Sequence, residues 1–223
     1  MRAGVLAAMF VLVTSGAAVA QTLPNGKPWV YDPDAAKDIM RTCAACHGEF
    51  GEGGGGGVYP RLAGLNADYL AEQLRRFKSR ERENIPMIPY ATERELPEKD
   101  VLDVSKYLSE TKLSNHPPSD DVKMDAFQRL QLAKQSVQIP REPGDIDKGG
   151  AIFQEECASC HGKQGQGRVK KPPLAGQYMR YLRAQIGHFL EGKRKHDDVE
   201  ELMRPKTAEQ WNDLWAYVST LDD

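Results

Sequence analysis

The sequence predicts an all-α protein built from two tandem copies of one small helical domain. Three observations predict it. The segment "CAACHGEFGEG", residues 43–53, returns 114 residues later as "CASCHGKQGQG", residues 157–167. The likeness continues, with "PRLAGLNADYLAEQLRRF" (60–77) over "PPLAGQYMRYLRAQIGHF" (172–189) at an offset of 112; Pro60, Leu62, Ala63, Gly64, Tyr69, Leu70, Gln73 and Phe77 are all repeated. Apolar residues recur at helical spacing around both copies, and no alternating run suggests a sheet.

The elements follow in order. Residues 1–20, "MRAGVLAAMFVLVTSGAAVA", carry one basic residue, an apolar stretch and the small-x-small ending Ala18-Val19-Ala20. They read as a cleaved secretory signal peptide, which places the mature chain outside the cytoplasm, and the apolar stretch is too short to span a membrane comfortably. From Gln21 onward 29 basic residues face 32 acidic ones, a formal charge of −3. That balance gives no reason to expect a nucleic-acid partner.

The first domain is read over 21–113. Its first helix starts at "DPDAAKDIMRTCAACH", where Asp32 caps and Pro33 fits the first helical position. Its middle helix, "NADYLAEQLRRFKS", spaces Leu70, Leu74 and Phe77 for one buried face, and its last is "PEKDVLDVSKYLSE". A linker, 114–144, holds "DVKMDAFQRLQLAKQSV" between two turn signals; Met124, Phe127, Leu130 and Val137 predict an amphipathic helix packed on one or both domains. The second domain, 145–223, repeats the three helices as "DIDKGGAIFQEECASCH", "QYMRYLRAQIGHFLEG" and "TAEQWNDLWAYVSTL", with a capping box from Thr207 to Gln210. Only 40% of the residues are hydrophobic, which is lean for two separate cores of about 90 residues each. Something else must fill them.

Four cysteines in an exported chain ordinarily suggest disulfides. Here the spacing says otherwise. Cys43 and Cys46 are followed at once by His47, and Cys157 and Cys160 by His161. A redox CxxC has no use for that histidine, and the two CxxC pairs of a zinc ribbon stand about 15–20 residues apart rather than more than a hundred. CxxCH is the attachment signature of c-type haem. On a helical turn, residues i, i+3 and i+4 share a face, so two thiols form thioethers to one macrocycle while the imidazole is the proximal ligand to its iron. The expectation is two covalently attached haem c groups, each supplying apolar core to its domain.

The motifs "CAACHG" then "PRLAGLNADYL", repeated as "CASCHG" then "PPLAGQYMRYL", with a methionine after each middle helix, resemble the cytochrome c4 family of diheme class I cytochromes. The resemblance covers nearly all of the mature sequence. It implies two class I cytochrome c domains, with His/Met haems facing each other across a pseudo-twofold interface, and electron transfer in the periplasm. The linker is longer than the family's connector.

Each iron needs a sixth ligand. Met87, in "ENIPMIPYA", lies 40 residues after His47, and Met203, in "EELMRPK", lies 42 after His161. His/Met ligation raises the reduction potential and leaves no open iron position. The competitors are weaker. Met40 lies inside its own helix, Met179 matches Ala67 in the repeat, and His116, His188 and His196 read as surface or satisfied side chains.

The leading function is a single-electron carrier between a donor and a terminal acceptor, so its partners are redox proteins, with peripheral docking on a membrane-bound oxidase left open. The alternative is the cytochrome subunit of a sulfide- or thiosulfate-oxidising enzyme. A catalytic diheme enzyme needs an open iron position or a spare cysteine, and all four cysteines are assigned. The run Arg75, Arg76, Lys78, Arg80 and Arg82, partly neutralised by Glu81 and Glu83, reads first as solvated helix surface, with docking of an acidic partner as the alternative; "RVKK" (168–171) and "KRK" (193–195) are its rivals in the second half.

Overall fold

The structure, a computed structural model, describes residues 21–221 except 115, 117, 118, 120–122 and 169. The signal peptide read at 1–20 and parts of the turn opening the linker lie outside the described residues. Tyr31–Asp223 form one compact unit, and the chain up to Val30 is a separate one. In that separate unit, Trp29 N–H donates to the Gln21 carbonyl at 2.8 Å and closes a short turn.

Within Tyr31–Asp223 the two halves are all-helical among the described residues, as predicted. In the first half α1 (Pro33–His47), α2 (Ala67–Lys78) and α3 (Glu98–Glu110) pack with α3 against both others. Asp32 caps α1 by accepting from Asp34 N–H at 3.2 Å and Ala35 N–H at 3.0 Å, satisfying donors that a helix start leaves orphaned. Met40, Leu65, Leu70, Val104 and Leu108 form the core. Helix α4 (Ala126–Lys134) follows in the linker.

The second half repeats this plan with one change. Here α5 (Ile146–Ile152) runs into a π-helical turn, Phe153–Cys157, and then α6 (Ala158–His161). Cys43 stands 11 positions after its capping Asp32, whereas Cys157 stands 12 after its capping Asp145. The wider turn takes up that extra residue, so Phe153 is buried as Met40 is in the first half, and His161 is buried as His47 is. Helices α7 (Met179–Leu190) and α8 (Ala208–Val218) complete the half. Its core is Phe153, Ala158, Met179, Leu182, Leu214, Trp215 and Val218. In both halves an aspartate on the last helix ties down the first. Asp103 accepts from Asp32 N–H at 3.3 Å, and Asp213 accepts from Asp145 N–H at 2.8 Å.

The halves meet along a polar seam. Gln177 bonds the Arg61 backbone in both directions, at 3.0 Å each, and the Arg61 guanidinium donates to the Ala175 carbonyl at 3.2 Å. The glycine run 53–57 belongs to this seam. A Cβ at Gly57 would stand 2.9 Å from that of Tyr178, so only glycine admits the tyrosine of the other half.

The linker departs from expectation. Its helix forms, but Phe127, Leu130 and Leu132 remain exposed and none of its residues is buried. The helix has apolar positions on several sides, so no single face gathers them, and Lys134 pairs with Glu49 of the first half at 3.0 Å. Val137, just after it, is buried as the pattern suggested.

Candidate haem-binding sites

Helix α1 ends by presenting Cys43, Cys46 and His47, and the chain leaves the helix through Gly48 at φ 81°. The glycines that follow turn it back. Gly53 N–H donates to the His47 carbonyl at 2.7 Å, and Leu62 N–H to the Gly51 carbonyl at 2.7 Å. Gly51 and Gly53 have φ of 75° and 96°, the left-handed region that excludes most side chains. The loop thereby brings the Pro60 carbonyl 3.0 Å from His47 Nδ1. The second half repeats each bond: Gly167 N–H to the His161 carbonyl at 2.7 Å, Leu174 N–H to the Gly165 carbonyl at 2.7 Å, and His161 Nδ1 to the Pro172 carbonyl at 2.7 Å. The repeated glycines are thus what fixes each imidazole.

A carbonyl oxygen only accepts, so Nδ1 carries the proton in both rings and Nε2 keeps its lone pair. Burial pulls both histidines below the ordinary imidazole range, the proline hydrogen bond opposing it only in part. Both rings are therefore neutral at pH 7, which is the form that binds a metal. A backbone carbonyl holding the far nitrogen is the usual outer-shell partner of a ligating histidine.

No disulfide joins any of the four cysteines. Burial pushes the Cys43 thiol up and takes Cys157 to about 11. Redox-active CxxC pairs lie below the ordinary thiol range, so the environment here opposes that chemistry.

One cavity of about 1120 Å³ reaches Cys43, Cys46, His47 and Met87 of the first half and Cys157, Cys160, His161 and Met203 of the second. A single small-molecule site spans roughly 300–1,000 Å³, so this space is at the large end for one group and extends into both halves. Its apolar walls include Leu70, Val104, Phe153 and Trp215. Paired thiols, a neutral imidazole with Nε2 free and apolar walls in each half fit one haem c per half.

The methionines differ in setting. Met87 ends a 3₁₀ turn, Ile85–Met87, and is half-buried. Met203 ends a π-helical segment, Val199–Met203, and is buried. Met40 and Met179 lie in the cores, and His116 is exposed. His188 and His196 both line the cavity. His196 is the one sequence reasoning undervalued: its ring stands 6.2 Å from that of His161, centroid to centroid, and 4.9 Å from Phe189.

The basic patch is corrected. Arg75 pairs with Glu98 at 2.5 Å, Arg76 with Glu72 at 2.8 Å and Lys78 with Glu93 at 2.5 Å. Arg82 is 8% exposed and points into the seam, where it donates to Gln73, Tyr181 and Gln185. Arg194, from the second-half run "KRK", points there too. One signal was available, because Arg82 and Arg194 stand 112 apart, the offset that aligns the middle helices.

Comparison with known proteins agrees with this geometry. The family model described as cytochrome c matches twice, over residues 34–112 and 146–222. The chain is 35% identical over 166 residues to the thiosulfate dehydrogenase electron acceptor of Thiomonas intermedia, covering 74% of this chain and 70% of that protein. It is 30% identical over 185 residues to cytochrome c4 of Thiocapsa roseopersicina, covering 81% and 86%. Its fold superposes with a TM-score of 0.61 and 26% identity on the thiosulfate dehydrogenase of Marichromatium purpuratum, covering 85% of this chain and 40% of that one.

Proposed function

Because this chain belongs to the cytochrome c family and, within it, to the diheme cytochromes c4, we propose that it passes electrons, through its two covalently bound haems, from a catalytic dehydrogenase of the periplasm to a terminal acceptor. The haems supply the one-electron chemistry, and the role is electron transfer rather than catalysis. What this chain adds is position. Cys43, Cys46, Cys157 and Cys160 would form the thioethers, and His47 and His161 would offer Nε2 to iron while the Pro60 and Pro172 carbonyls hold Nδ1. Met87 and Met203 would serve as the distal ligands. We read the first haem domain over 21–113 and the second over 145–223.

One observation carries this reading: two neutral imidazoles, each fixed by a proline carbonyl, share one cavity with both thiol pairs. Adjacent sites in one cavity are suited to passing an electron from one haem to the other.

A second reading makes the chain a stable subunit of a thiosulfate-oxidising enzyme. It is favoured by the relative named as an electron acceptor of thiosulfate dehydrogenase and by the uncovered apolar side chains of α4. Stopped-flow mixing of the oxidised protein with a thiosulfate dehydrogenase and thiosulfate tests the donor. Reduction of both haems only when enzyme and substrate are present is expected; no reduction rules out this donor class. Co-elution of the two proteins at micromolar concentration selects the subunit reading, and transient reduction without co-elution selects the carrier.

A further inference from the structure

His196 has no histidine counterpart in the first half, and the function so far leaves it unused. At the offset of 112 that aligns the middle helices its place is taken by Asn84, which also lines the cavity. From Asn84 the chain reaches Met87 in three positions. From His196 it reaches Met203 in seven, through Asp198 at φ 58° and the π-helical turn Val199–Met203. Such turns are found mostly at functional sites. The second half thus brings an imidazole and a thioether into the cavity where the first half brings Asn84 and Met87.

Three features of His196 suit it to a metal. Its ring lies nearly parallel to that of His161, with 18° between the planes and 6.2 Å between the centres. A metal–imidazole nitrogen bond is about 2.0–2.1 Å and the nitrogen lies roughly 1 Å from its ring centre, so two imidazoles in line on one metal have their centres about 6 Å apart. Its Nδ1 is held by the Asp197 carbonyl. A carbonyl only accepts, so Nδ1 carries the proton and Nε2 keeps its lone pair, the arrangement already found in His47 and His161. Its place is also braced. Asp197 pairs with Lys171 at 2.6 Å, Lys171 precedes the Pro172 whose carbonyl holds His161, and the Phe189 ring stands 4.9 Å from that of His196. A solvated histidine needs none of the three.

We propose that His196 is an exchangeable distal ligand of the iron in the second half, binding it in the ferric state and giving way to Met203 in the ferrous state. The proposal rests on one haem c in each half and on Met203 as a ligand. Imidazole favours ferric iron relative to thioether, which is why methionine ligation raises the potential. On reduction the iron gains one electron from the donor, the bond to His196 Nε2 breaks and a bond to Met203 Sδ forms. No proton moves, because Nδ1 keeps its own against the Asp197 carbonyl. Oxidation reverses both bond changes. Electron release from the second haem is therefore coupled to the return of His196, and the first haem, with Asn84 in that place, has no such step.

The test is optical and uses the two-haem protein, with haem content measured on the same samples. The far-red band of a ferric iron–thioether bond is recorded in the oxidised wild type and in His196→Asn, which copies the first half. The wild type should show the band at the strength of one haem, and His196→Asn at that of two. In a redox titration the substitution should raise the second potential by about tenfold in its one-electron equilibrium constant, which is 59 mV, and leave the first unchanged. Stopped-flow reduction of the wild type should show a later spectral phase whose rate does not depend on reductant concentration, and His196→Asn should lack it. Thioether bands from both haems in the oxidised wild type would overturn the proposal, as would a second haem that keeps two imidazoles in both redox states. The wild-type band carries the test alone if the variant does not fold. A wild-type protein with fewer than two haems would instead contradict the cofactor reading, which keeps the two failures distinct.

Discussion

The two halves agree in the setting of the histidine and differ in the setting of the methionine proposed as its counterpart. His47 and His161 each sit on an equivalent proline carbonyl, Pro60 and Pro172, behind matching glycine bonds, with several distances identical to a tenth of an ångström. Opposite them, the first half delivers Met87 from a 3₁₀ turn that contains Pro86, whereas the second delivers Met203 from a π-helical segment entered through Asp198 in the left-handed region at φ 58°. The chemistry explains the contrast. On the histidine side, three groups must meet one macrocycle at fixed spacing, so even a one-residue insertion is absorbed by the π-turn Phe153–Cys157. On the proposed methionine side a single flexible thioether would arrive at the end of a loop, so the two halves need not share one loop conformation.

The largest expected effect breaks one side of the comparison. Replacing Cys157 and Cys160 together with serine should leave a protein whose mass shows one covalent haem, with the first half still loaded because its own thiols and histidine are intact. Loss of both haems would mean that the halves do not mature independently. A disulfide-bonded apoprotein from the unmutated chain would sink the haem assignment altogether.

Next come the distal ligands, where the halves should respond differently. Met87→Ala removes the only distal methionine proposed for the first half, and Asn84 stands there in place of His196 at the 112 offset. The first haem should turn high-spin and its potential should fall. In Met203→Ala, His196 already faces His161 at 6.2 Å between ring centres. The second haem should stay low-spin with imidazole in place of thioether, again at lower potential. High-spin signals from both variants would remove His196 from consideration, and an unchanged spectrum in either would exclude that methionine as a ligand.

Most of the fold and the histidine side were legible in the sequence, because the repeat, the caps and CxxCH all act locally. Asp32 and Thr207 cap as their types predict, since each needs only a backbone N–H two or three residues away. The seam was harder to read. Arg82 and Arg194 sit in runs of charge that look like solvated helix surface, and nothing within a few residues announces that each will reach a tyrosine more than 90 positions away. Helix α4 fails for the opposite reason: its apolar spacing is visible, but spacing names no partner, and the structure leaves Phe127 68% exposed.

A smaller effect sharpens the one-residue difference between the first helices. Deleting Glu155, which is exposed, gives Cys157 the same spacing from its cap that Cys43 has. The π-turn should revert to regular α-helix with Phe153 still in the core, two haems still attached and stability within about 1 kcal/mol of the parent, since surface changes away from caps and cores rarely exceed that by much. Loss of the second haem would show that the wide turn is required by the site, not merely tolerated by it.

The smallest effect concerns acid. Backbone N–H groups hold the Asp32 and Asp145 carboxylates below the ordinary aspartate value of 3.8, through Ala35 and Lys148 respectively. The folded state thus binds these protons less readily than the unfolded chain does. The stabilisation is fully present above about pH 4 and is lost as pH falls through the depressed folded values. Asparagine caps a helix start as well as aspartate but does not titrate. Asp32→Asn and Asp145→Asn should each leave stability at pH 7 nearly unchanged and flatten the acid limb of denaturant midpoints measured between pH 5 and pH 3. Because both carboxylates are exposed and each accepts from two backbone N–H groups of its first helical turn, the two variants should flatten it by similar amounts, with Asp145 losing in addition its pairing with Lys148. If only Asp145→Asn did so, the caps would differ in the unfolded or partly unfolded chain, and the equivalence of the two helix starts would hold for their geometry alone.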